Sequence, residues 1–278
     1  MPGQFIIALS AKKQGGKNTA AKVIPGVAAT ALGVVGSDFP VLDRERLPDG
    51  FWKEFSFADP LKEFCMDVLG LSCESCYGSD EEKNAPTHIM WEDMPGPIRW
   101  KLSGSQYIDA ALNVCHYEYR SREDHALKFY TTATPCNLKE GPMSGREVMQ
   151  VFGTELIREN FGSVWARSAI RKIKKSPSRV NLITDCRFPD EVEAVLHEPL
   201  GYVLRLTRNP CASDIHKSET ALDDFNWNRD RCILLDNSQM SIDEQHAAVI
   251  PIMDEIFRRN RDEFDAGELS AVGQEIPA

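Results

Sequence analysis

Phe5-Ile6-Ile7-Ala8-Leu9 is an unbroken apolar run, and it leads directly into Ser10-Ala11-Lys12-Lys13-Gln14-Gly15-Gly16-Lys17-Asn18-Thr19. An apolar run of this length, with no alternation, is the pattern of a strand covered on both faces. The residues after it are polar, basic and glycine-rich, so they read as a loop. From Lys17 to about Ala31 the chain is rich in Ala and reads as a helix, interrupted at Pro25 and Gly26. Strand, glycine loop and helix in this order form an anion site, because free backbone N–H groups at a helix N-terminus face the ligand. The loop departs from G-x-x-x-x-G-K-[ST] at two places. Ala11 stands at the first Gly, and Asn18 stands where Ser or Thr holds magnesium; Thr19 follows one place later. Lys13, Gln14, Gly15, Gly16, Lys17, Asn18 and Thr19 are therefore the candidate phosphate-binding residues, with Thr19 the candidate magnesium ligand. The competing reading is a lysine-rich surface loop.

Outward from this segment, strands and helices alternate. Glu54–Phe57 reads as a second strand. Leu61, Phe64, Cys65, Val68 and Leu69 make the apolar stripe of a helix, stopped by Gly70. Ser144-Gly145-Arg146-Glu147 is a capping box ahead of an apolar run. A further helix carries Trp165, Ala169, Ile170 and Ile173 on one face. Val180–Thr184 is a strand that ends at Asp185, and Pro189 suits the first turn of the next helix. Tyr202–Leu206 and Cys232–Leu235 are two more strands. Ser241 to Glu244 is a second capping box, and Pro251 is placed to kink the helix that follows it. Five short strands alternating with helices predict an α/β fold with a mostly parallel sheet, helices on both faces, and a site at the carboxyl ends of the strands. Residues 73–142 are the least regular stretch and read as an inserted, lid-like subdomain within a domain spanning residues 1–262. Residues 263–278 read as a loose tail.

The chain has 278 residues, 42 acidic against 32 basic side chains, and a net charge of −10. A dedicated nucleic-acid-binding protein usually carries a basic face, so this balance argues against a polymer partner but not against a nucleotide. No apolar run approaches bilayer length and no basic leader precedes one, so a cytoplasmic protein with reduced thiols is expected. Cys73 and Cys76 alone have metal-like spacing. Their second half-site would come from Cys115 with His116, or from His88, whereas zinc sites normally show two tight pairs.

Beyond the loop, several further segments carry candidate chemistry. Asp185-Cys186-Arg187-Phe188-Pro189-Asp190-Glu191 delivers a carboxylate and a guanidinium to the functional edge of the sheet. Arg187 suits bidentate contact with phosphate oxygens. Asp185 suits a magnesium-bound water or a substrate hydroxyl, and the competing reading is an Asp–Arg pair that fixes a turn. Gly153, inside a helical pattern, costs about 1 kcal/mol relative to Ala, so a packing or functional reason is expected there. Phe57-Ala58-Asp59-Pro60-Leu61-Lys62 joins a strand to a helix, and His216-Lys217-Ser218-Glu219 is a polar segment.

Taken in order, these pieces resemble the bacteriophage deoxynucleoside monophosphate kinases. The resemblance covers Ser10–Thr19, Ala58–Lys62, Arg146–Trp165, Asp185–Glu191 and His216–Glu219. Its most specific parts are Met149-Gln150 through Gly153-Thr154-Glu155-Leu156-Ile157, and Asp185-x-Arg187. The resemblance implies a P-loop kinase-like three-layer fold, and transfer of the γ-phosphate of ATP, with Mg2+, to a deoxynucleoside 5′-monophosphate in the cytoplasm of an infected host. It implies Lys17, Arg187 and Asp185 around the transferred group. It implies Asp59, Lys62, Arg146, Gly153, Thr154, Trp165, Asp185, Arg187, Glu191, Ser218 and Glu219 around the acceptor, with Trp165 stacking on the base. A homodimer is common in the family. Asn18 falls where the family has an acidic residue, and Gln14 falls where it can place an arginine. The acceptor range includes dGMP, dTMP and 5-hydroxymethylated pyrimidine deoxynucleotides. A reading from a different class is a P-loop ATPase or switch acting on a protein partner.

Overall fold

A computed structural model describes residues 3–94, 139–210 and 220–265. The first apolar run forms β1 (Phe5–Ser10), all six of whose residues are buried. Its side chains alternate between two cores, as a strand demands. Phe5, Ile7 and Leu9 enter one apolar cluster, and Ile6 and Ala8 enter another. The sheet has five strands in the order β2 (Trp52–Phe55), β5 (Val180–Cys186), β1, β6 (Gly201–Leu206), β7 (Cys232–Leu235). Every neighbouring pair in it is parallel. The first core lies against α1 (Lys17–Ala31) and the long helix Ile242–Arg259; the second lies against Val164–Lys175 and Pro189–Leu196. A parallel sheet with helices on both faces is the α/β architecture expected, and it is consistent with a P-loop kinase-like fold.

The connections locate the site. From β1 the chain crosses to β2 on one side, and from β5 it crosses to β6 on the other. The crevice outside the carboxyl ends of β1 and β5 is therefore the topological switch point, where open α/β sheets bind ligands.

Four expectations are corrected. The helix after the glycine loop is not interrupted: α1 runs through Pro25 and Gly26. Gly26 has a packing reason, since a Cβ there would lie 2.3 Å from the Val41 carbonyl oxygen. Second, β2 begins at Trp52 and ends at Phe55, two residues ahead of the expected strand. Lys53 and Glu54 are exposed on this edge strand, so apolar content marked it poorly. Third, α2 (Asp59–Asp67) buries Cys65, but Val68 lies beyond its end and is 66 % exposed. Gly70, at φ +70°, stops the helix as expected, and the Leu71 N–H closes the turn on the Cys65 carbonyl at 3.0 Å. Fourth, the helix opened by the Ser144–Glu147 capping box is α5 (Gly145–Gln150), which passes at Val151 into a π-helix that continues to Arg158.

The chain divides into two compact units, residues 1–61 with 160–278, and residues 62–159. The first holds the five-stranded sheet. The second holds α3 (Cys73–Tyr77), α4 (Asp80–Asn84), the antiparallel pair β3 (Pro86–Met90) and β4 (Pro142–Ser144), α5 and the π-helix. Its packing is tight at Gly145, where a Cβ would lie 2.5 Å from the Ser75 carbonyl oxygen. The first unit also holds α6 (Val164–Lys175), α7 (Pro189–Leu196) and α8 (Ile242–Arg259). Pro251 lies within α8.

Candidate active site

At the switch point a cleft of about 430 Å³ lies in the first unit. The sequence candidates Lys13 to Thr19 line it, together with Thr184 and Arg187 from the end of β5.

The loop is a tight turn closed by the Gly15 N–H on the Lys12 carbonyl at 3.0 Å. Gln14 is at φ +58°, and Gly16 caps α1 at φ +92°. Gly15 is required by space, since a Cβ would lie within 2.9 Å of the Arg208 carbonyl oxygen, the Ala11 Cβ and the Lys12 carbonyl oxygen. Lys17 folds its ammonium over the loop, donating to the Ala11 carbonyl at 2.6 Å and the Lys12 carbonyl at 3.2 Å. Lys12 pairs with Asp223. The loop also rests on residues from the far end of the chain. Asn237 Nδ2 donates to the Gly15 carbonyl at 3.0 Å, and Gln245 Nε2 donates to the Gly16 carbonyl at 2.8 Å.

On the β5 side three carboxylates are occupied by backbone. Asp185 accepts the Phe57 N–H at 2.7 Å, the Ala58 N–H at 3.1 Å and the Ser56 hydroxyl. Asp59 accepts the Ser56 N–H at 3.0 Å. Glu191, 3 % exposed, accepts the Arg187 N–H at 2.8 Å and the Phe188 N–H at 3.1 Å. Asp185 and Glu191 therefore fasten the turns on which Ala58 and Arg187 stand, and Arg187 is the charged side chain that this edge contributes to the cleft wall. The fully buried Cys186 thiol between them is pushed well above its usual range, by burial first and then by the Glu191 and Asp185 charges.

The other sequence candidates fall as follows. Trp165 is buried on α6, at 8 % exposure. Lys62, Arg146, Gly153 and Thr154 belong to the second unit. There Lys62 Nζ sits 4.2 Å from the Tyr77 ring centroid. Arg146 donates to Asp80 at 2.6 Å and Asn84 at 3.1 Å, beside a second cleft lined also by Ser144, Glu147 and Gln150. Gly153 is buried within the π-helix, a rare form frequent at functional sites. Ser218 and Glu219 lie outside the described residues, as do Cys115 and His116. Among the described residues, no group of three or more His, Cys, Asp or Glu side chains could hold a metal ion. No described helix is long and apolar enough to cross a membrane.

The sequence reading missed Asn237, Gln245 and Asp223. No local motif marks them, because each meets the loop through tertiary structure.

No protein-family model matches the chain. A viral protein of Acanthamoeba polyphaga mimivirus, named "Putative deoxynucleotide monophosphate kinase", is 25 % identical to it over 223 residues. The match covers 74 % of this chain and 86 % of that protein.

Proposed function

We propose that this protein is a deoxynucleoside 5′-monophosphate kinase that transfers the γ-phosphate of ATP to a dNMP and releases ADP and dNDP. The observation that carries the reading is the cleft at the switch point, where the glycine loop and Lys17 face Thr184 and Arg187. The similarity to the viral protein named above supports it, as does the motif order from Arg146 to Glu191.

Phosphoryl transfer depends on positioning and on neutralising charge more than on covalent chemistry. The loop N–H groups and Lys17 would hold the β- and γ-phosphates of the donor. Arg187 and Lys13 would neutralise charge on the migrating group. Glu191 would act by holding the turn that carries Arg187, and Asp185 and Asp59 by holding the 56–58 turn. Thr154, Ser218 and Glu219 are assigned to the acceptor with Lys62 and Gly153, and Trp165 to its base. No general base is needed, since a nucleotide phosphate oxygen is ionised at neutral pH.

Mg2+ suits the cleft as an ion that arrives with the nucleotide. Thr19 lines the cleft, while the Thr184 hydroxyl donates to Glu54 at 3.2 Å, and Mg2+ usually keeps several waters and binds through substrate phosphates. It would supply charge neutralisation, with Thr19 at its outer edge.

A coupled ADP-release assay with ATP and Mg2+ against deoxy- and ribonucleoside monophosphates tests the reading. ADP release that depends on one or a few deoxynucleotides is expected. dGMP, dTMP and 5-hydroxymethylated pyrimidine nucleotides head the panel. Hydrolysis at the same rate without any acceptor would overturn the kinase in favour of an ATPase acting on a protein partner.

A further inference from the structure

Two neutral side chains from the last third of the chain lie against the glycine loop, and neither lines the cleft. Asn237 is fully buried. It donates through Nδ2 to the Gly15 carbonyl and to Gln245 Oε1, both at 3.0 Å, and accepts the Arg208 N–H through Oδ1 at 2.9 Å. Gln245 is 1 % exposed and donates through Nε2 to the Gly16 carbonyl. The two amides thus use each other to fix which end of Gln245 faces the loop: its oxygen is taken by Asn237, so its nitrogen must face Gly16. One residue further on, His246 Nε2 lies 3.1 Å from the Thr19 carbonyl.

The consequence follows from the trans peptide unit, in which C=O and the next N–H point in opposite directions. No cis peptide occurs in the described chain. Anchoring the Gly15 carbonyl on Asn237 turns the Gly16 N–H away from Asn237. Anchoring the Gly16 carbonyl on Gln245, in addition to its ordinary helical bond from the Ala20 N–H at 3.1 Å, turns the Lys17 N–H outward. Glycine at these two positions is otherwise the most conformationally permissive backbone available, so the loop needs external anchors to keep its donors aimed. Fit is close as well: a Cβ on Gly16 would lie 2.5 Å from Gln245 Oε1.

We infer that Asn237 and Gln245 are positioning residues for triphosphate binding: they pin the Gly15 and Gly16 carbonyls from behind and so aim the Gly16 and Lys17 N–H groups at the donor phosphates. The inference rests on the kinase reading only in taking the loop as the phosphate site.

The test is tripolyphosphate binding to the full chain by calorimetry, with KM for ATP and kcat measured alongside. Gln245→Met keeps the volume, leaves the Gly16 carbonyl its bond from Ala20, and leaves Asn237 bonded to Gly15, so the fold should survive. Loss of one anchor should weaken tripolyphosphate binding and raise KM for ATP about tenfold, near the upper end of a single hydrogen bond's net worth. KM for the acceptor should not move. Asn237→Ser is the second variant, acting on the other carbonyl, and should lower the same two affinities. Equal tripolyphosphate affinity in wild type and in a folded variant, with only a lower melting temperature, would overturn the inference and leave the kinase reading intact. A wild-type protein that binds no tripolyphosphate would overturn both.

Discussion

The two walls of the cleft are built on opposite principles. On the β1 side the backbone offers N–H groups outward, and its carbonyls are held from behind by amide donors. On the β5 side the backbone N–H groups are themselves captured, by Asp185 and Glu191. One wall therefore combines main-chain N–H groups with the Lys13 and Lys17 side chains, and the other contributes the single charged side chain Arg187. The difference separates conspicuous acidic residues from residues that meet a ligand. A carboxylate that already takes two or three donors fastens a turn, and its charge is largely spent there.

Substitutions at three positions would break or sharpen this contrast. The largest effect is expected for Lys17→Ala. Removing this ammonium should lower turnover by about 10² to 10³-fold, the cost of deleting one preorganised charge-stabilising group. The urea midpoint should stay near that of the wild type. Near-normal turnover would sink the assignment of this wall to the phosphates. Next comes Asp185→Ala, which strands the Phe57 N–H and the Ser56 hydroxyl and leaves the Ala58 N–H only its bond to Ser56 Oγ. It should cost about 3 kcal/mol of unfolding free energy in urea titrations. A variant that kept its stability but lost all turnover would instead make Asp185 a ligand-side group and erase the contrast. Glu191→Ala should follow at about 2 kcal/mol, because it frees two N–H groups in a buried turn. Glu191→Gln, which keeps an acceptor, should recover part of that loss.

Smaller effects test the same logic elsewhere. Glu147 closes the capping box of α5 and pairs with Lys139 at 2.7 Å. Burial raises its pKa, but the Lys139 and Ser144 contacts outweigh this and hold it below the ordinary carboxylate value. A depressed folded pKa means its contribution is present above about pH 4.5 and is lost as pH falls through the lower folded value. Melting curves from pH 6 to pH 3 should show that loss in the wild type and not in Glu147→Gln. The smallest effect concerns thiols. Cys65 is fully buried and its thiol is pushed up to about 12, by burial first and by Cys76 second. At pH 8 a thiol reagent should label exposed Cys73 and spare Cys65 until the protein is unfolded, as peptide mapping would reveal.

Much of this organisation was legible in the sequence. β1 announced itself because covering both faces demands an unbroken apolar run, and the Ser144 and Ser241 capping boxes stood where their four-residue signatures put them. What escaped reading had physical causes. Gly26 suggested a helix break, because sequence cannot show Val41 closing on it. The two-residue offset of β2 reflects an edge strand with exposed Lys53 and Glu54. The π-helix leaves no periodic mark within eight residues. Asp185 and Arg187 stood out by spacing, yet spacing did not say that Asp185 serves the 56–58 turn. Asn237 and Gln245 were invisible: nothing local distinguishes an amide that braces a loop 222 or 229 positions away.

That separation bears on how the protein is made. In a chain emerging from the ribosome, β1 leaves well before its strand neighbours, which begin only at Val180 and Gly201. The glycine loop is synthesised at once and acquires its last braces only when residue 245 has cleared the exit tunnel. Contacts this distant in sequence slow folding. Nascent chains halted before Asn237 are expected to lack a nucleotide-ready loop, so binding competence waits for the Asn237–Gln245 segment rather than for the loop itself.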